Sequence, residues 1–592
     1  MLDALCKLGE LYIDKENLDE FDVLVDEKNI KDVILVEFIE NDDSISFNKI
    51  FYEEYDNINN VKYLYKKGSS RGTNITPSSL ITDLKKTFNN KFLKWFKNNK
   101  DKNDLFNTLN EVIIEKKEVI YAELKEIYDL IYVKDTNILL SFVITKEDNY
   151  YYLNDFKEFK DAFIEGSIEK FKGSEKIIGE GICYLCNENK NVYGSVSSGV
   201  GFAFSTSEKK GNIPMFNHKN QLKLIPICYD CALNLNAGKK FVERFLDFSE
   251  FGLRYYVIPN FLFDSKKGFD RLYGQIQLLE QDEHLDSRDL VNIEYGLSKI
   301  VNRLDDFAEI KFLFYQASNS AFDILAYVES VIPSYLNQIY KYQSKISNMD
   351  FFSEKNIKLI FGDNQEGNFI KLINKKEEHY PCALDNWYKR FLRDFINNFS
   401  KKLYIDTVVD IISDQKIDYN FLMSRILGKI RSNWRNDENY ALKISVLKSL
   451  MLLILLNDLN LIKGENIMTS EDEFSIELIL NSPEKRATFL LGALTRKLMY
   501  KQYRELGSSP FYNKLWGLSL DEKKIKKLYP MVVNKLREYD IAYINIEEEI
   551  SLNLAKSENN WKLNRDETSY YFVLGFTLPN FDKNEKEDDK NE

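Results

Sequence analysis

Two Cys-x-x-Cys pairs constrain this chain more than any other feature: Cys183-Tyr-Leu-Cys186 and, 41 residues further on, Cys228-Tyr-Asp-Cys231. Each such turn lets two thiolates reach one ion, and two turns complete a tetrahedral shell of four sulfurs. That shell leaves no open position for water. The spacing therefore predicts a structural Zn2+ held by Cys183, Cys186, Cys228 and Cys231, although an iron–sulfur cluster takes the same ligands. Residues 179–238 around the pairs are rich in Gly, Ser and Asn and short of helical periodicity, so they read as a small inserted metal module. Within it, residues 194–201 read as a hairpin loop, because the Gly-Lys-Ser/Thr of a phosphate-cradling loop is absent. Cys6 and Cys382 stand alone and read as core residues. Six cysteines in 592 residues are too few for a disulfide scaffold.

A chain of 592 residues is longer than one hydrophobic core supports. Residues 1–178 alternate short apolar runs (33–38, 138–144) with longer helical patterns (105–125), the pattern of an α+β domain. Residues 239–383 read as a mixed α/β region completing this N-terminal body, with a strand from Leu253 and helices from about Gly268 to Tyr342. Residues 384–581 read as an all-α bundle, with helices over 387–399, 440–459 and 485–506. The fold class expected is thus an α+β N-terminal part with an inserted four-cysteine zinc module, followed by a C-terminal helical bundle. Residues 582–592 are charged and lack apolar side chains, which predicts a disordered acidic tail. No basic segment followed by an apolar one opens the chain, and the longest apolar run, 450–456, is far short of the roughly 20 residues a membrane helix needs. The expectation is a cytoplasmic protein with no membrane partner.

The formal net charge of -12 hides segregation. Residues 62–97 carry nine basic groups and one acidic one, and residues 484–540 carry thirteen basic and six acidic. Local basic surfaces on an acidic body suit a polyanionic partner. In the first stretch, the Gly-punctuated loop 65–77 offers Lys66, Lys67 and Arg71 for phosphates, and Thr73 and Asn74 for sugar, phosphate or base edges. In the second, Lys485, Arg486, Arg496, Lys497, Lys501 and Arg504 include pairs three to five residues apart, and several can share one helix face along a phosphate backbone; the alternative for the two stretches is a solvated surface loop and a helix kept soluble by its lysines.

Catalytic constellations are missing. The three histidines, His218, His284 and His379, form no His-Asp pair and no His-Glu-x-x-His helix, and there is no Walker A loop or Gly-x-Ser-x-Gly elbow. The chain is expected not to be an enzyme.

Taken together, the loop 65–77, the two cysteine pairs, and the run 489–495 with Gln502 downstream resemble the large subunit of type I-B Cascade, the Csh family of CRISPR-associated proteins. The resemblance spans nearly the whole chain. It implies a place at the 5′-handle end of a guide RNA, beside the handle-binding and backbone Cascade subunits. There the large subunit would recognise the protospacer-adjacent motif in target double-stranded DNA and support duplex opening and R-loop formation. Base pairing reads the target in such systems, while protein reads only a short flanking motif. The helical C-terminal part would hold displaced strand, and the complex would recruit the helicase-nuclease that cuts, in antiviral defence.

A small subunit is another expected partner. Residues 463–468 can be encoded with a ribosome-binding string ahead of Met468, and internal translation from Met468 gives a product of 125 residues (468–592), about 14.7 kDa by proportion. The alternative is that Gly464 merely ends a helix. Two rivals from other classes are a nuclease-type CRISPR effector, testable by cleavage with magnesium or manganese, and a zinc-stapled scaffold that binds protein only, which predicts no salt-dependent DNA affinity.

Overall fold

A computed structural model describes residues 1–26, 29–41, 44–68, 72–134, 136–201, 210–280, 300–301, 304, 308–317, 322–361, 387–436, 439–462 and 479–578. Arg71, His284, His379, Cys382, Met468 and the tail 582–592 lie outside the described residues. The chain divides into two units, Met1–Arg244 and Phe245–Glu592.

The first unit is built on a five-stranded sheet. Strands β1 (Ile30–Asn41) and β4 (Asn137–Lys146) pair in parallel at its centre. β2 (Ser44–Glu54) flanks β1, while β3 (Ser79–Leu80) and β5 (Asn149–Tyr151) pair with β4, all antiparallel. The central strands are apolar on both faces because both faces are covered. On one side Val33, Leu35, Leu139 and Val143 pack with Tyr63 and Tyr65. On the other, Phe142 meets Phe96 and Phe159, and Trp95 stacks on Phe159 at 5.6 Å between ring centres.

A three-stranded antiparallel sheet follows: β6 (Ile178–Ile182), β7 (Asn189–Tyr193) and β8 (Ile227–Cys228). It leads into the helix Tyr229–Phe245. Two sequence expectations change here. The second cysteine pair opens a long helix, in a stretch read as short of helical periodicity. Residues 194–201 form the short helix Val196–Val200, ended by Gly201 at φ 87, where a hairpin loop was expected.

The helix Leu2–Glu16 crosses Tyr229–Phe245 at a pair of glycines. A Cβ on Gly9 would lie 1.8 Å from the Asn234 carbonyl oxygen, and one on Gly238 would lie 2.0 Å from that of Leu5. Only two residues without Cβ atoms let these backbones touch.

The second unit begins with an antiparallel sheet in the order β12-β11-β10-β9: β9 (Asp247–Glu250), β10 (Leu253–Phe261), β11 (Ala308–Ala317) and β12 (Phe322–Val331). The last two strands replace helices expected up to Tyr342; the helix Pro333–Ser347 begins only after them. The run Ile310–Tyr315 is buried throughout, and a short run buried on both faces has no alternation by which period could tell strand from helix.

The rest of this unit is helical, including Tyr419–Arg435, Asn439–Asp458, Pro483–Leu506 and Arg565–Thr577. Among the described residues, Asn439–Asp458 is the one helix long and apolar enough to cross a membrane, and most of it is buried inside the protein. Pro483–Leu506 and Arg565–Thr577 repeat the glycine crossing: a Cβ on Gly492 would lie 2.0 Å from the Phe572 carbonyl oxygen, and one on Gly575 would lie 1.9 Å from that of Phe489.

Candidate metal centre and lysine cluster

The turn between β6 and β7 carries the first cysteine pair. The Cys183 amide donates to the Glu188 carbonyl (2.9 Å) and the Asn187 amide to the Cys183 carbonyl (3.0 Å). Asn187 closes the turn in the left-handed region, at φ 58, a conformation asparagine tolerates better than most residues. The Tyr184 amide donates to the Pro226 carbonyl (2.8 Å), fixing this turn to the segment entering β8. Cys228 ends β8 and Cys231 lies in the first turn of Tyr229–Phe245.

The four sulfurs lie within 4.8 Å of one another. The Sγ atoms of Cys186 and Cys228 are 3.8 Å apart, the edge of roughly 3.8 Å that a tetrahedron with metal–sulfur bonds of about 2.3 Å requires. Three of the four cysteines are buried and Cys186 is the outermost. The donor set and spacing fit a metal ion with a closed coordination shell. Lys190 bridges the two turns from outside, through Glu188 (2.6 Å) and Asp230 (2.9 Å).

Burial opposes ionisation of Cys183, but backbone amides of Cys186, Cys228 and Leu185 outweigh it and bring that thiol down to about 7. Burial pushes Cys186 and Cys228 up. A hydrogen bond with Cys6, then burial, pushes Cys231 up. Four crowded sulfurs thus resist full ionisation unless a cation shares their charge. Cys6, read as a plain core residue, is half-buried beside this centre, its Sγ 3.9 Å from the Cys231 carbonyl oxygen.

The loop 65–77 is less open than its composition suggests. Lys66 is only 6% exposed and donates to the Leu24 carbonyl (2.5 Å). Asn74 is also buried: its amide donates to the Ser78 carbonyl (2.8 Å) and Ser79 Oγ (2.9 Å), and its Oδ1 accepts from Gly68 (3.1 Å). Both side chains hold the loop's shape, which corrects their reading as nucleic-acid contacts. Gly68 is required, since a Cβ there would meet the Thr73 carbonyl oxygen at 2.0 Å. Lys67 is exposed and Thr73 half-exposed.

Around this loop the fold gathers lysines from other elements. Lys170 donates to the Lys67 carbonyl and Lys91 to the Gly72 carbonyl. Lys240 donates to the carbonyls of Asp22 (2.9 Å) and Val25 (2.5 Å). Lys239 pairs with Glu243 at 3.5 Å. Lys170, Lys239 and Lys240 all repel Lys66 electrostatically, with Asp26 opposing them. Lys91, Lys170 and Lys240 are thus held by neutral backbone carbonyls, while burial pulls Lys91 and Lys170 below the ordinary lysine range. Clustered cations of this kind are an anion-binding signature. Lys170, Lys239 and Lys240 had no sequence signal, because only folding brings them to residues 66–72.

Burial, reinforced by these neighbours, drives Lys66 down to about 7 from the ordinary 10.5. Between pH 7 and 10.5 the unfolded chain therefore holds a proton that the native chain lacks, so this group's contribution makes stability rise with pH. Thermal unfolding of wild type and Lys66→Met checks this: the wild type is expected to gain on the variant as pH goes from 7 to 9.5, by at most about 1.4 kcal/mol per unit.

The C-terminal candidates are partly consumed by the fold. Lys485 is buried, donating to Asn481 Oδ1 (3.2 Å), and Arg486 pairs with Glu549. Arg496 donates to the carbonyls of Phe576 (3.3 Å) and Thr577 (3.0 Å), closing the end of Arg565–Thr577. These three are not on an open phosphate-tracking face, because each meets partners of its own unit. Lys497, over the Tyr543 ring at 4.7 Å, Lys501, paired with Glu505 at 2.9 Å, and exposed Arg504 follow one another along one side of the helix.

The four-sulfur centre lies in the α/β unit, and the second unit joins a four-stranded sheet to a helical part. Models of the CRISPR-associated protein TM1802 match the chain in all three of their parts: the N-terminal domain over residues 1–165, the central domain over 180–331 and the C-terminal domain over 384–590. The chain belongs to this family. No curated protein matches it.

Proposed function

We propose that this protein is the large subunit of a type I-B RNA-guided surveillance complex, which recognises the protospacer-adjacent motif in double-stranded DNA and supports R-loop formation. The observation that carries the reading is the lysine cluster around residues 66–72, a positive surface on an acidic chain of a CRISPR-associated family. Its partners in this reading are guide RNA, target DNA, the handle-binding and backbone subunits, a small subunit and the helicase-nuclease. The chain works in the cytoplasm and binds without cutting, the chemistry belonging to the helicase-nuclease. The ion at the four cysteines is structural Zn2+, since four thiolates leave no position for substrate or water.

Copurification with the other subunits and guide RNA, followed by titration of target duplexes with and without the flanking motif, tests the role. Motif-dependent binding should vanish when this chain is omitted; binding indifferent to its omission would overturn the reading. Within the complex, the double substitution Lys67→Glu, Lys170→Glu is expected to weaken DNA binding and to flatten the slope of log affinity against log salt by roughly 0.9 for each phosphate no longer neutralised. Equal slopes for both complexes would remove the cluster from the interface.

A further inference from the structure

A fifth sulfur lies against the four-cysteine centre. Cys6 stands on the helix Leu2–Glu16, between the buried residues Leu5 and Leu8. Its thiol is hydrogen-bonded to the Cys231 side chain, and its Sγ is 3.9 Å from the Cys231 carbonyl oxygen. The helix crossing holds this contact in place. Gly9 and Gly238 bring the two backbones together, and Tyr12 packs edge-on against Phe241 at 5.1 Å between ring centres. Cys6 and Cys231 are therefore fixed beside each other by the packing of Leu2–Glu16 on Tyr229–Phe245.

The fifth sulfur differs from the other four. Cys183, Cys186, Cys228 and Cys231 complete a tetrahedral shell by themselves, their Sγ atoms lying within 4.8 Å of one another. Cys6 is surplus to that shell. It is also half-buried, whereas Cys231 is only 5% exposed, so a small oxidant from solvent reaches Cys6 before Cys231. Redox-sensing cysteines combine access with a neighbouring thiol that resolves the oxidised sulfur into a disulfide. Cys6 meets both conditions, and its resolving partner is a metal ligand.

We propose that Cys6 is an oxidation site through which hydrogen peroxide releases the ion of the four-cysteine centre. The Cys6 sulfur attacks one peroxide oxygen, the O–O bond breaks, and Cys6 sulfenic acid and water are formed. The Cys231 thiolate then leaves the ion and attacks the sulfenic sulfur, expelling hydroxide, which takes a proton from solvent. In sum, the Cys6 thiol, the Cys231 thiolate, one peroxide and one proton give one disulfide and two waters. The two electrons lost by the sulfurs go into the broken O–O bond. Three thiolates are left for the ion, the shell opens, and metal held by a complete set of ligands is lost. A thiol reductant cleaves the disulfide and returns the fourth ligand. The helix that begins at the centre carries Lys239 and Lys240 of the lysine cluster, so ion loss is felt at that surface through one element. The proposal rests on the zinc reading of the four sulfurs, which the metal content of the unoxidised chain decides separately.

The test treats the full chain, freed of reductant, with hydrogen peroxide, reading zinc release with a metallochromic dye and disulfides by peptide mass spectrometry. Wild type should release its zinc in step with a Cys6–Cys231 disulfide, and reductant with added Zn2+ should reverse both. Cys6→Ser and Cys6→Ala should each hold the same zinc before oxidation and release it several-fold more slowly at the same peroxide dose. Equal release rates in wild type and variants, disulfides formed only among the four ligands, or zinc retained by oxidised wild type would each overturn the proposal. Variants purified without zinc would make Cys6 a ligand and overturn it as well. A wild type that holds no zinc before treatment would remove the zinc reading itself, and this proposal with it.

Discussion

Replacing Cys228 with serine is expected to empty the metal centre and unfold the segment around it. Elemental analysis of the purified wild-type chain should give one zinc per chain, and of the variant none. Structural zinc in small peptides binds with about 10–16 kcal/mol near neutral pH, as large as the 5–15 kcal/mol that stabilises a typical domain. The loss is concentrated between Cys183 and Cys231, where the three short strands alone bury little. Limited proteolysis should therefore cut this stretch in Cys228→Ser and in wild type treated with chelator, and spare untreated wild type. The Tyr229–Phe245 helix starts at this centre, so its packing on Leu2–Glu16 should loosen as well. A metal-free wild type with the same protease resistance would show that the four sulfurs do not need an ion.

The second large effect is a reversal of sign between two glycines of one unit. Gly492→Ala places a Cβ 2.0 Å from the Phe572 carbonyl oxygen, so Pro483–Leu506 and Arg565–Thr577 must separate. Overpacking of this kind costs about 1–3 kcal/mol, and here the obstacle is backbone, which cannot swing aside. Gly428→Ala, inside the helix Tyr419–Arg435, meets nothing within 4 Å. It should stabilise by up to about 1 kcal/mol, because alanine loses less backbone freedom in a helix than glycine does. Thermal unfolding of the two variants beside wild type gives both signs in one experiment. An unchanged or raised midpoint in Gly492→Ala would mean that the crossing relaxes without cost.

What is legible in the sequence is what short spacings encode. Two cysteines three residues apart share a turn whatever surrounds them, so the spacing alone identifies all four sulfurs of the centre. The long helices at 440–459 and 485–506 announce themselves by the length of their apolar patterns, whereas 387–399 resolves into the short helix Trp387–Leu392 and a π-helical turn, Arg393–Asn397. The strands at Ala308–Ala317 and Phe322–Val331 do not announce themselves, because burial on both faces of Ile310–Tyr315 erases the alternation that reveals a strand. Charge is legible only as density. That Lys67 stays at the surface while Lys66 is buried against the Leu24 carbonyl depends on which face of the chain meets the sheet.

The sequence by itself thus determined the four clustered cysteines, the order of α/β and helical parts, and the density of basic residues in the first basic stretch, since each is a property of neighbouring residues. The tertiary structure alone decided that Lys170, Lys239 and Lys240 join Lys66 and Lys67, that Arg486 and Arg496 are spent inside the fold, and that Gly9 faces Gly238. Those pairings join residues far apart in sequence. Their partners are set by how helices and strands pack, and no local pattern records which distant backbone a side chain will meet.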